Sequence, residues 1–312
     1  MSNLIFDDLT GIPTLLAPAR VERKNQFDGS TKSAETEAGK PKKKESPFTK
    51  GNEHLTPPAL YQDADDWSVR VIPNKYPLVE DHEVIIHSPD PARDIEDMDH
   101  EAVVKIIRAY LNRINFHNSQ SKEAFLFNNR GGKAGASIRH PHSQLLALKG
   151  FPGVIEREKE GALKYYNEHT SCPWCDKLIS EREYEKRVVF ESNHFVLLVP
   201  EASRWSYEML LIPKDHKPNF VFIDEMEIND FADCLRKALR AYDSLLNRPD
   251  RNFWIHTTMH EPFHWHVGFI PQIKTLGGLE LGAGIWVSDK ATPEDAAKGL
   301  KFQVENHNGG VT

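Results

Sequence analysis

The stretch GGKAGASIRHPHSQ, residues 131–144, sets three glycines and a run of small residues against two histidines one residue apart. On a strand, alternate side chains share a face, so His140 and His142 point the same way. A similar pair recurs in HWHVG, residues 264–268. What precedes the two pairs corresponds as well. The first follows SPFT (46–49), IIHSPDP (85–91), a helical segment and a strand; the second follows CPWC (172–175), LLIPKDH (210–216), a helical segment and a strand. Ser46 and Pro89 are 43 positions apart and Cys172 and Pro213 are 41 apart, while Pro89 to His140 and Pro213 to His264 are both 51. Matching order and spacing point to a duplicated unit. The expected division is a first repeat over 1–165, carrying HPHSQ, and a second over 166–312.

Two segments have helical period. One is about 97–115, with Val103, Ile106, Ile107, Tyr110, Leu111 and Ile114 on one side; the other is about 225–246, with Ile228, Phe231, Leu235, Leu239, Tyr242 and Leu246. Short β-rich runs surround them, among them SVRVIP, HEVIIH, AFLFNN, SQLLAL, HFVLLVP, NFWIHT and HVGFIP. Strands outnumber helices and do not alternate with them regularly. The expected class is therefore α+β, mainly antiparallel sheet with flanking helices. Residues 21–46 hold only Val21 and Phe27 as large apolar residues and read as a mobile loop.

The bulk numbers narrow the function. A formal net charge of −7 over 312 residues is no nucleic-acid footprint. No run approaches the roughly 18 apolar residues of a membrane helix, and the first sixteen residues lack the pattern of a signal peptide. A cytoplasmic setting is expected. Three cysteines do not make a disulfide framework.

Cys172 and Cys175 form a C-x-x-C, which in such a setting suggests metal or redox chemistry. Zinc favours a tetrahedron of cysteine and histidine ligands in structural sites. Cys172 and Cys175 would supply two thiolates from one tight turn. His216 and His264 would complete a closed Cys₂His₂ set, with His194, His256, His260 and His266 as competitors. A thioredoxin-like pair lacks its βαβ setting here. In the first repeat the same places hold Ser46, Thr49 and Pro91, and only His140 remains. One zinc per chain is expected, in the second repeat.

The first repeat reads as the reacting half. Gly131, Gly132 and Gly135 let backbone N–H groups approach an anion, and Asn129, Ser137 and Gln144 add neutral donors. An unprotonated imidazole among them is a nucleophile toward phosphorus. HWHVG has neither the small-residue run nor the glutamine.

These residues resemble the galactose-1-phosphate uridylyltransferase family of the histidine-triad superfamily. The resemblance runs through DDLTGIPTLLAPARVERK, SPFTKGNEHLTPP, VIPNKYPLV, NNRGGKAGASIRHPHSQ, PKDH and FHWHVGFIP. GGLELGAG with the later TPEDAA resembles the branch that includes plant-type ADP-glucose phosphorylases. The resemblance implies two histidine-triad-like repeats and ping-pong transfer through a nucleotidyl-histidine. His142 would be the nucleophile and Gln144 the residue that steadies the intermediate. Asn129 and Ser137 would contact phosphate, Arg20 and Arg23 would be the family's N-terminal substrate- and phosphate-binding arginines, and Asn74 would stand on the nucleotide side. Glu280 would meet the hexose, and Glu158 stands where some members bind a second-half metal. The partners implied are a nucleoside diphosphate sugar and sugar 1-phosphate or phosphate, with a homodimer as the assembly. Three activities fit: transfer to hexose 1-phosphate, phosphorolysis of ADP-glucose or dinucleoside polyphosphates, and weak nucleotide binding without turnover.

Overall fold

The computed structural model describes residues 3–18, 20, 25–27 and 46–308. Near the N-terminus, β1 (Asn3–Phe6) and β2 (Pro13–Leu16) form an antiparallel hairpin of their own. The other strands are β3 (Tyr61–Gln62), β4 (Arg70–Pro73), β5 (Asp81–Ile86), β6 (Glu123–Arg130), β7 (His142–Leu148), β8 (Val188–Glu191), β9 (Phe195–Leu198), β10 (Met209–Pro213), β11 (Arg251–His256) and β12 (His266–Pro271). They form one ten-stranded sheet in the order β3-β4-β5-β7-β6-β11-β12-β10-β9-β8.

That order is a palindrome of two units. Outside inward, β4-β5-β7-β6 matches β9-β10-β12-β11, and the units meet where β6 pairs with β11, Asn129 opposite Asn252. The pairings within it are antiparallel, so the α+β class with mainly antiparallel sheet is the class observed.

Among the described residues five α-helices accompany the sheet: α1 (His100–Asn118), α2 (Val154–His169), α3 (Pro173–Tyr184), α4 (Glu225–Leu246) and α5 (Pro293–Asn308). One face of the sheet, including Leu126, Leu145, Phe253 and Val267, packs on Ile107 and Ile114 of α1, Leu235 and Leu239 of α4 and Leu300 of α5 in a continuous apolar core. Residues of opposite parity, including His142, Gln144, Phe127, Asn129 and His266, belong to the other face. There only two small apolar clusters form, one around Phe48, Val84 and Ile86 and its counterpart around Leu178, Val196 and Ile212.

The two periodic segments are α1 and α4. Helix α4 keeps the expected bounds because Asp224 and Glu227 form a capping box. Helix α1 begins at His100 rather than 97 because the Asp99 side chain accepts from Ala102 N and caps it there. Helices α2, α3 and α5 were not among the expected helical segments. Helix α2 buries only Ile155 and Ala162, and α3 only Leu178 and Glu181. The C-x-x-C turn is the first turn of α3, with Cys172 as its N-cap and Pro173 at its first position. Within the segment read as a mobile loop, residues 25–27 dock on the strand entrance: Gln26 N donates to Ser137 O at 2.9 Å, and the Arg139 guanidinium lies 4.4 Å from the Phe27 ring. The rest of that segment before Ser46 is outside the described residues.

Candidate active site

His142 opens β7, between β5 and β6, and is buried. Its Nδ1 donates to the His140 carbonyl at 2.8 Å. A carbonyl only accepts, so the neutral ring carries its proton on Nδ1 and its lone pair on Nε2. Phe48 stands edge-on to the ring, 5.5 Å between centroids. The backbone is held as well: Asn128 Nδ2 donates to His142 O at 2.8 Å, and Arg251 Nη1 donates to Asn128 Oδ1 at 2.8 Å.

Two residues on, Gln144 faces Val84 of β5 and Phe127 of β6. Its Oε1 lies 3.0 Å from His82 Nε2 and 3.5 Å from Asn74 Nδ2. Asn74 therefore joins the His142–Gln144 group directly. Arg20 joins it through Tyr76, whose carbonyl accepts from Arg20 Nε at 3.0 Å. Asn129, at the end of β6, accepts from Asn252 Nδ2 at 2.7 Å through its oxygen, which turns its amino group away from β11. Ser137 is buried in the segment leading into β7. Arg23 lies outside the described residues. Glu280 is not brought to this group. Its carboxylate is occupied within its own loop by the Lys274 ammonium and by Gly277 N at 3.0 Å, and Lys274 holds it below the usual carboxylate range.

The glycine loop answers to a residue that sequence reasoning missed. Asp250, from the turn before β11, accepts from Lys133 N at 2.7 Å. Gly131 has φ +89°, and a Cβ there would overlap the Asp250 carboxylate. The anion for which Gly131 makes room is thus a side chain of the second unit. Nothing local in the sequence links positions 131 and 250; the β6–β11 pairing does.

In the second unit, Cys172, Cys175, His216 and His264 place one donor atom each within 4.8 Å of all the others. Cys172 Sγ lies 3.7 Å and Cys175 Sγ 3.6 Å from His264 Nδ1, and Cys175 Sγ lies 3.7 Å from His216 Nδ1. Ligands about 2.3 Å (sulfur) and 2.0–2.1 Å (nitrogen) from one tetrahedral ion would stand roughly 3.6 Å apart. The outward nitrogens are tied to backbone carbonyls, His264 Nε2 to Pro213 O at 3.0 Å and His216 Nε2 to Glu261 O at 2.8 Å. Both imidazoles thus turn a lone pair toward the sulfurs. The Cys172 thiol is held well below its ordinary value, first by the hydrogen bond with Cys175 and then by His264. The donor set suits a closed, four-coordinate ion.

His140 shows the same posture without the set. Its Nε2 donates to Ser88 O at 2.7 Å, as His264 does to Pro213. Three residues beyond these carbonyls stand Pro91 and His216. His140 Nδ1 is buried with no hydrogen-bond partner among the described residues, and Phe48 is edge-on at 5.8 Å. Burial holds this imidazole below its ordinary pKa, hence neutral.

A second group brings Glu158 of α2 together with His256 and His266. Glu158 Oε2 is 2.7 Å from His256 Nδ1 and 3.8 Å from His266 Nε2. His266 is the counterpart of His142, its Nδ1 donating to His264 O at 3.0 Å. Gly268 occupies the place of Gln144, and the Trp254 indole covers it so closely that an added Cβ would sit 2.6 Å from the ring. The second unit therefore has neither the glutamine nor the space beside its histidine.

A doubled antiparallel sheet with an imidazole set among amide donors in one half marks a nucleotidyltransferase. Family models described as the N-terminal and C-terminal domains of galactose-1-phosphate uridyl transferase match residues 79–152 and 158–276. The chain belongs to the galactose-1-phosphate uridyl transferase family. It is 30% identical to ADP-glucose phosphorylase of Arabidopsis thaliana, over 95% of this chain and 91% of that one. It is also 30% identical to galactose-1-phosphate uridylyltransferase of Thermotoga maritima, over 70% and 73%. A crystal structure of the Arabidopsis thaliana ADP-glucose phosphorylase with bound ADP-glucose superposes with a TM-score of 0.76 at 29% identity, covering 96% of this chain and 98% of that one.

Proposed function

We propose that the protein moves a nucleotidyl group from a nucleoside diphosphate sugar to hexose 1-phosphate or inorganic phosphate through His142. The observation that carries this reading is the Nδ1–His140 carbonyl bond, which leaves the lone pair on Nε2. In the first half-reaction Nε2 bonds to the α-phosphorus. The bond from that phosphorus to the bridging oxygen breaks, and sugar 1-phosphate leaves with the electron pair. In the second, an acceptor phosphate oxygen bonds to phosphorus and the P–N bond breaks, returning neutral His142. Charge on the phosphoryl oxygens falls to fixed donors; Gln144, Asn129, Ser137 and Arg20 are the ones this reading assigns. Asn74 is the nucleotide-side contact and Arg23 a further substrate contact; Glu280 meets the sugar in this scheme only on leaving Lys274 and Gly277 N.

The relatives' names favour two acceptors equally, phosphate and hexose 1-phosphate. Incubation with labelled ADP-glucose and UDP-glucose should leave acid-labile label on the native protein and none on His142→Ala. Equal labelling of the two proteins refutes the mechanism. Omitting or adding phosphate separates phosphorolysis from sugar exchange.

The metal in this reading is one zinc on Cys172, Cys175, His216 and His264. When bound it supplies a structural cross-link between the start of α3, the segment leading into β12 and the segment after β10. The reading also takes residues 1–165 and 166–312 as the two repeats, supported by the palindromic strand order. A homodimer in the cytoplasm completes it, checked by sedimentation and fractionation.

A further inference from the structure

A glutamine beside a phosphate is useful in only one of its two orientations. The amino end donates to a phosphoryl oxygen, while the carbonyl end repels it. The two ends are nearly isosteric, so the neighbours decide which faces the substrate. For Gln144 the deciding neighbour is His82, on β5.

His82 is buried, as is Gln144, and sits diagonally across the β5–β7 pair from it. The backbone N–H of Leu78 donates to His82 Nδ1 at 3.0 Å. A backbone N–H is only ever a donor, so Nδ1 has no proton and the neutral ring carries it on Nε2. That N–H points at Gln144 Oε1, 3.0 Å away. Asn74 acts in the same sense. Its oxygen accepts from Tyr76 N at 2.9 Å, which turns its amino group toward His82 and Gln144. Of the atoms it faces there, only Gln144 Oε1 is an acceptor. Two donors thus converge on the Gln144 oxygen and drive its amino group to the opposite side. Among the described residues that amino group has no partner.

We propose that His82 is a positioning residue, which through its Leu78-fixed tautomer locks Gln144 with the amide N–H₂ facing the nucleotidyl phosphate. The inference rests on the nucleotidyl-transfer reading of the site. Turn residues 74–78, by folding back over His82, set the sign of the dipole that meets the phosphate. His82 touches no reacting atom in this scheme. Its effect passes wholly through Gln144.

The test is single-turnover labelling of the protein by labelled nucleoside diphosphate sugar, with a mutant cycle. His82→Phe keeps a ring and removes the donor. It should slow labelling at saturating substrate roughly 10- to 100-fold, the scale or somewhat below that of a lost oxyanion donor, with half-saturation unchanged. His82→Gln, which restores a side-chain N–H, should recover most of the rate. In a Gln144→Ala background, His82→Phe should add no further loss. Full additivity, or native labelling by His82→Phe, overturns the proposal. Nitrogen NMR of the native protein is an independent check that needs no variant to fold: His82 Nδ1 should show the shift of an unprotonated ring nitrogen, and a protonated Nδ1 overturns the proposal. Native protein that takes no label at all refutes the transfer reaction itself, while the tautomer measurement still reports on His82.

Discussion

Replacing Arg251 by methionine should cost the protein more stability than replacing its neighbour Arg248 by alanine, although both belong to one charge cluster. Arg251 is fully buried at the start of β11, the strand that joins the two units. Its Nη2 lies 2.7 Å from Glu96 Oε2 and 3.3 Å from Asp94 Oδ2. Burial alone would raise the Asp94 carboxyl, but Arg251 and then His87 outweigh it and hold it well below its ordinary value. Methionine fills similar space and leaves two buried carboxyls facing no cation at that position. Breaking a buried pair in this way costs about 3–5 kcal/mol. Arg130 still pairs with Glu96, which argues for the lower end, about 3 kcal/mol. With an unfolding entropy of about 2.1 cal/mol/K per residue, that lowers the melting temperature by roughly 5 °C for a chain of this length. Arg248 lies 2.6 Å from Asp97, yet its side chain is 53% exposed. An exposed pair contributes at most about 1 kcal/mol, so Arg248→Ala should move the melt by no more than roughly 2 °C. Differential scanning calorimetry of the three proteins decides the matter. Equal small shifts would show that the buried cluster is not held by charge, and the reasoning fails. Labelling should also slow in Arg251→Met, since Asn128 loses the donor that orients it against the His142 carbonyl.

Three further outcomes follow from the geometry. Burial holds His87 and His140 below their ordinary pKa. The unfolded chain takes up protons there as pH falls below about 6.5 while the folded one does not, so stability should fall in that range and show no contribution from these groups above it; urea unfolding at pH 7.5 and 5.5 should show it, and His87→Gln should flatten the slope. Elemental analysis should find about one zinc per chain in the native protein and none in Cys175→Ala, with a lower melting temperature for the variant; two zincs, or none, in the native protein contradicts the assignment. Gly131→Ala forces a side chain into the left-handed region and against Asp250, and should cost about 1–3 kcal/mol in chemical denaturation and slow labelling; a neutral effect would mean the loop is not held by Asp250.

The sequence was most legible where function rests on local motifs. The strand that opens at His142, the doubled order of elements and the Cys₂His₂ set all depend on short spacings or on a repeat, although β7 begins only at His142 and leaves His140 in the segment before it. The start of α1 shifted because a single cap, Asp99, outweighs the apolar period. Helix α3 has too weak an apolar pattern for periodicity to show it, burying only Leu178 and Glu181. Asp250, Arg251 and Trp254 were invisible for another reason. Each acts across the β6–β11 or β11–β12 pairing on a residue 14 to 123 positions away, and no local pattern encodes those pairings. His82 lay in plain view in HEVIIH, but only as an alternating strand residue; its meaning needs the Leu78 N–H, which comes from the backbone.

The two units show how a duplicated site divides its work. Each has a histidine whose Nε2 is tied to a carbonyl, at Ser88 or Pro213, and a second whose Nδ1 is tied to the first one's own carbonyl. That pose leaves the lone pair on Nδ1 of the first and on Nε2 of the second. In the second unit the metal donors are complete, while Glu158 and Trp254 crowd the position where a substrate would sit. In the first unit the thiols have become Ser46 and Thr49, and Gln144 stands where its counterpart is Gly268. The posture of His142 there needs no metal set beside His140: Asn128, anchored by Arg251 of the other unit, holds its backbone carbonyl, and the His140 carbonyl holds its ring.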